Sequence, residues 1–172
     1  MKVGVTGRLL ATGLRRAASL LGEVDADIVS ALAELRAFAH GIVALLLAEQ
    51  GLSAALEEAA RQTALPVSTE RQEIGRCDPA VERAVYFCCM EALQNAAKHA
   101  GAGVRVRLSL HREGGELVFT VEDTGQDPAG AVIHEGQGLR NMRERTQALH
   151  GLLDAGPMRG PGFRVAGRLP CR

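Results

Sequence analysis

Apolar residues recur along the first third of the chain at spacings of three to five. Val5, Leu9, Leu14, Ala17 and Leu21 form one set, and Ile28, Leu32, Leu35, Phe38 and Ile42 a second. That repeat marks one face of a helix, and Gly22-Glu23-Val24-Asp25 between the sets supplies a turn and a cap. Residues 1–48 therefore read as a helical hairpin. A hairpin of two helices cannot bury both apolar faces alone, so it either covers the rest of the domain or pairs with a second copy in a four-helix bundle.

The period changes after Gly51. Ser53 is placed to cap a helix to about Gln62, Pro66 to Glu70 is short and extended, and Asp78-Pro79 opens a long helix that ends near His99 and is closed by Gly101. Val104, Val106, Leu108 and Leu110 then alternate with Arg105, Arg107, Ser109 and His111, the period of a strand with one wet face. Gly114-Gly115 turns that strand into a second, Glu116 to Asp123. Gly125 to Gly138 reads as loop, Leu139 to His150 as helix, Gly151 to Ala155 as strand, and Phe163 to Leu169 as a last strand after Gly160-Pro161-Gly162. The order is helix, strand, helix, two strands, helix, two strands. Hairpin strands interleaved with helices predict an α+β fold, a mostly antiparallel sheet covered by helices on one face.

Composition narrows the partners. The 20 Lys and Arg are balanced by 20 Asp and Glu, and aromatic residues are scarce, so the chain lacks the basic field and the stacking platforms of a generic nucleic-acid binder. The uncharged apolar stretch Gly41 to Ala48 is far shorter than the ~20 residues of a membrane-spanning helix. No direct membrane contact is expected, and the first residues, Met1 to Arg8, put a charge where a secretory signal would need its apolar core; the expected compartment is the cytoplasm. Four cysteines, at 77, 88, 89 and 171, carry no CxxC spacing, which suits buried reduced thiols better than a disulfide framework or a zinc site.

Candidate chemistry sits in the second half. Glu91, Asn95 and Lys98 are four and three residues apart in the long helix and so share one face. The trio forms either a salt-bridge pattern or a polar site, and an Asn in mid-helix favours the site. Asp123-Thr124-Gly125 ends a strand with an acid followed by a residue without a Cβ, suited to accepting from an exocyclic amine while backbone approaches a flat ring; an Asp-Gly turn explains the same letters. Gly136-Gln137-Gly138-Leu139 leads into a helix, where free N–H groups favour an anion.

Together, Glu91-x3-Asn95-x2-Lys98-His99, Asp123-x-Gly125, Gly136-x-Gly138-Leu139 and Gly160-x-Gly162 resemble the N-box and glycine boxes of the ATP-binding domain of sensor histidine kinases, the Bergerat or GHKL fold. The run Gly138 to Arg145 is similar to the nitrate-sensor and desaturase-thermosensor branch. The resemblance covers residues 51–172, and less specifically the hairpin, which is similar to the branch's dimerisation and phosphoacceptor region. It implies ATP and Mg²⁺ as cofactors, with Asn95 as the metal ligand and Glu91 orienting or deprotonating the attacking group. Lys98 and His99 would contact phosphate, Asp123 would accept from the adenine amine, Gly125 would admit the ring, and Gly136, Gly138 and Leu139 would cradle the triphosphate. It further implies a homodimer through the hairpin and a response-regulator receiver domain as partner.

The chain departs from the family pattern in three places. Asp127 replaces a glycine after the adenine acid, and Phe163 stands where the family has a Thr beside that acid. Lys2-Val3 occupies the place of the phosphoacceptor His-Asp pair, so self-phosphorylation of this chain is not expected. His40 belongs to the second helix, where the family is not phosphorylated. These departures keep a second reading open, a non-catalytic GHKL-like module acting as a dimeric interaction partner. A third, an anti-sigma serine kinase of the same superfamily, would not need the hairpin.

Overall fold

The structure, a computed structural model, describes residues 41–101, 103–125 and 136–172. The chain divides into two compact units, Met1–Val43 and Ala44–Arg172, and nearly all described residues belong to the second. The expected hairpin lies outside the described residues up to position 40, as do Lys2, Val3, His40 and Asp127.

A helical stretch, α1, covers 41–62. Gly51 within it adopts φ 77°, a conformation that no right-handed helix contains, so two helical segments meet there. Residue 52, directly after Gly51, is already helical, which moves the start of the second segment ahead of the expected cap at Ser53. Strand β1 spans Val67–Arg71. Helix α2 spans Pro79–His99, with the Asp78 side chain accepting from the Ala80 N–H at 2.7 Å and Pro79 in the first turn, where its missing N–H costs nothing. Strands β2, Val106–Glu113, and β3, Glu116–Asp123, follow. Helix α3 is Gln137–Gln147, then β4 is Leu152–Pro157 and β5 is Phe163–Pro170.

The five strands form one sheet in the order β1-β2-β3-β5-β4. Only β1 and β2 run parallel; the other neighbours are antiparallel. This is the α+β sheet expected from the alternation. In β3 every second residue, Leu117, Phe119, Val121 and Asp123, is buried, facing Leu108 and Leu110 of β2 or Val165 and Leu169 of β5 across the ladder. Helix α2 packs on β2, β3 and β5, and α3 on β4, β5 and α2, so their apolar sides meet this face. Across the opposite face run exposed or half-exposed ion pairs, Arg107 with Glu70, Arg164 with Glu122 and Arg168 with Glu116, each worth little in water.

Cys77 and Cys171 are joined in a disulfide, with Cα atoms 5.0 Å apart. This corrects the expectation of four reduced thiols. The partners are 94 residues apart and meet only because the loop before α2 lies beside the end of β5, which no local spacing reveals. Cys88 and Cys89 are free and buried, and burial pushes the Cys88 thiol up to about 12.

Candidate functional site

The C-terminal half of α2 joins two groups of residues. Nearer the middle of the helix, half-exposed Glu91 lies against Gly138, the second residue of α3. A Cβ at Gly138 would run into the Glu91 carboxylate, whose Cδ would lie 3.0 Å away. Only a glycine lets the first turn of α3 approach the acid this closely. The α3 N-cap is Gly136, which is exposed and offers no side chain to the N–H groups of that turn. Those donors and the positive end of the dipole are thereby left for an anion.

At the end of the helix, Ala100 lies under the Asp123 loop, where a Cβ on Gly125 would meet the Ala100 Cβ at 2.7 Å. Asp123 is only 9% exposed. Its Oδ1 accepts from the Gly125 N–H at 2.8 Å and from the Phe163 N–H at 3.3 Å, while Oδ2 accepts no hydrogen bond from the described residues. A buried carboxylate held by one oxygen is oriented but still able to accept from a bound donor. Gly162, at φ 120°, brings its backbone against the Asp123 carbonyl, and a Cβ there would collide with it.

All ten candidate residues lie among the described ones, and the structure brings five of them into these two groups. Glu91 with Gly138 forms the first; Asp123, Gly125 and Phe163 form the second. Asn95 is half-exposed one turn beyond Glu91, on the stretch of α2 between them. Lys98 and His99 are exposed in the last turn, where positive charge complements the helix dipole. Leu139 is half-exposed at the start of α3.

Two features escaped the sequence reading. Thr124, an unremarked position between Asp123 and Gly125, accepts from the Arg105 N–H through Oγ1 at 3.0 Å and donates its own N–H to the Arg105 carbonyl at 3.0 Å. This ring of two bonds ties the Asp123 loop to the start of β2; a hydroxyl directly after a strand is its only sequence signal. The second is at Phe163. The Phe163 backbone N–H donates to Asp123, a contact that any residue but proline provides and that does not depend on the side chain at this position.

Residues 80–172 match the family described as histidine kinase-, DNA gyrase B-, and HSP90-like ATPase. The sensor histidine kinase MctS of Rhizobium johnstonii is 30% identical over 158 residues, covering 87% of this chain and 34% of that protein. The signal transduction histidine-protein kinase/phosphatase UhpB of Salmonella typhimurium is 35% identical over 88 residues, 51% of this chain and 17% of that protein. The chain thus spans about a third or less of the length of these relatives. In structure it is similar to the histidine kinase domain of the Erythrobacter litoralis blue-light activated histidine kinase, with a TM-score of 0.54 and 24% identity over 72% of this chain and 58% of that one. At that identity the likeness speaks for the fold.

Proposed function

Since the chain belongs to the family of histidine kinase-, DNA gyrase B- and HSP90-like ATPases, we propose that it is the ATP-binding catalytic region of a two-component sensor histidine kinase. In the intact system the γ-phosphate of ATP passes to a histidine and then to an aspartate of a response-regulator receiver domain. Nucleotide use goes with the family; the residue roles and the transfer are our reading. Asp123 carries it: a buried carboxylate with one oxygen fixed by two backbone donors and the other unclaimed among the described residues.

The residues present fit the nucleotide. Asp123 Oδ2 accepts from the adenine amine, and Gly125 admits the ring beside it. From Ala100 back to Glu91 is nine residues, about 13 Å of helix, which separates a ring at one end from phosphates near the α3 N-terminus. Asn95, on that stretch, offers a single amide oxygen, in keeping with Mg²⁺, which takes few protein ligands and keeps waters and phosphates. Bound Mg²⁺ would neutralise charge on the phosphates. Lys98 adds positive charge on the same helix and His99 a polar ring, both for contact with phosphate, and Glu91 orients or deprotonates the incoming nucleophile. Phosphoryl transfer asks for such positioning and charge compensation more than for covalent chemistry by the protein.

Homodimerisation through the 1–48 hairpin, docking of the receiver domain and a cytoplasmic location belong to the same proposal. Among the described residues no helix is long and apolar enough to cross a membrane.

Titration calorimetry with Mg²⁺ and ATP tests the reading. Binding is expected, and Asp123→Asn, which exchanges an acceptor-only carboxylate for an amide, should weaken it by about 1–3 kcal/mol, the range for a hydrogen bond to a charged group. No heat at millimolar nucleotide, or equal affinity of the two proteins, would refute it.

A further inference from the structure

At the end of α2 away from the nucleotide site, the loop between β1 and α2 gathers a second cluster that nucleotide binding leaves unused. Glu82, in the first turn of α2, is completely buried. Its carboxylate accepts from Arg76 Nε at 2.9 Å, from a terminal nitrogen of Arg76 at 3.1 Å and from the Cys77 N–H at 3.0 Å. That hydrogen bond, with the charge of Glu82, holds the Arg76 guanidinium above its ordinary pKa. The same guanidinium donates to the carbonyls of Leu47 and Ala48, at 3.1 Å each. These belong to the turn of α1 just before Gly51 leaves the helix, where carbonyls lack intrahelical donors and a cation suits the dipole. Arg76 thus ties the end of one helical segment to the start of α2.

The residue after Arg76 is disulfide-bonded. Its partner, Cys171, is the fixed side of the bond: the Cys171 N–H donates to the Gly115 carbonyl at 2.8 Å, and its own carbonyl accepts from Arg112 at 2.7 Å, which anchors it to the β2–β3 turn. Cys77 is the side that can yield, in the irregular stretch 72–78. The bond therefore fastens the loop carrying Arg76 to the sheet.

We propose that Cys77–Cys171 is a reversible redox site whose state sets how firmly Arg76 grips the 44–50 segment of α1. The co-reactant is a dithiol. One of its thiolates attacks a disulfide sulfur, the S–S bond breaks to a mixed disulfide, and its second thiol displaces the protein. Two electrons and two protons pass to the chain, giving two cysteine thiols and an oxidised, disulfide-form reductant. Both cysteines are buried in the bonded state, so attack proceeds through local opening of the 72–78 loop. With the bond broken, Glu82 still holds Arg76, but the loop keeps only the Gln72 N–H bond to the Leu110 carbonyl at its start, and the end of the helix loosens without the domain unfolding.

The experiment uses the unmodified chain equilibrated with ratios of oxidised and reduced dithiothreitol. Thiols titrated in denaturant should number two when oxidised, from Cys88 and Cys89, and four when reduced. Hydrogen exchange followed by mass spectrometry should then show residues 44–50 and 72–78 exchanging roughly tenfold faster in the reduced protein, while β3 and β5 stay unchanged. The C77S/C171S variant should match the reduced protein at every ratio, and Arg76→Gln should expose 44–50 to exchange in both redox states. Four thiols at the most oxidising ratio, or exchange at 44–50 indifferent to reduction, would overturn the proposal. ATP affinity measured on the same samples keeps its failure distinct from failure of the nucleotide reading.

Discussion

At Asp123 the side chain and the backbone divide the work. Two N–H groups, of Gly125 and Phe163, fix one oxygen, and the geometry depends on the course of the chain at 125 and 163 more than on the side chains there. Phe163 shows the consequence: read as a lost hydroxyl in the sequence, it still supplies a donor. A one-letter comparison registers side chains, so the Asp123-x-Gly125 pattern was legible while the donor at Phe163 and the anchoring role of Thr124 were not. Cys88 offers a different test. Burial pushes its thiol up to about 12, and burial raises Cys89 as well. An unfolded thiol ionises near pH 8.5, so above that pH the unfolded chain releases protons that the folded chain keeps, and folding stability declines from about pH 9 towards 12. Urea denaturation at pH ~8 and ~10 should show this decline, and Cys88→Ala should make it shallower. An unchanged slope in the variant would contradict the assignment.

Two glycines separate the packing of elements from their chemistry. At Gly138 a Cβ would meet the far end of the Glu91 side chain, which can swing aside; at Gly162 it would meet the backbone of Asp123, which cannot. Gly138→Ala should therefore cost under about 1 kcal/mol of stability. It should lower phosphoryl transfer to a separately supplied acceptor hairpin by roughly 10–100-fold, because the displaced acid no longer faces the reacting atoms. Gly162→Ala should cost roughly 2–4 kcal/mol and lower ATP affinity, through a forced φ of 120° and a displaced β3 terminus. Denaturation and transfer assays on both variants check the contrast. At this scale the sequence was most legible, since alternation in 104–123 marks β2 and β3. The boundaries moved where a buried residue is not a paired one: Val104 continues the alternation and is buried, yet β2 begins at Val106. Likewise α3 starts at Gln137, because Gly136 rather than Gly138 precedes its first turn, and it stops at Gln147, before His150 at φ 57°.

For the molecule as a whole, the chain belongs to a family of ATPases, and in our reading Lys2-Val3 takes the place of the kinases' acceptor pair. Incubation with γ-labelled ATP should leave the chain unlabelled, because a base can serve only a nucleophile within hydrogen-bond reach. Acid-labile phosphate on His40 or any other residue of the chain would show that the acceptor lies elsewhere. The long-range features were the least legible. Arg76 reaching back to Leu47 and Cys77 meeting Cys171 follow from how the elements stack, and neither pair has a spacing that announces it. The disulfide makes residues 77–171 a covalent ring, and every candidate residue from Glu91 to Phe163 lies inside it. A protease cutting once within that ring would linearise it without releasing a fragment: the nicked chain would migrate as a single species in electrophoresis until a reductant is added, and only then as two.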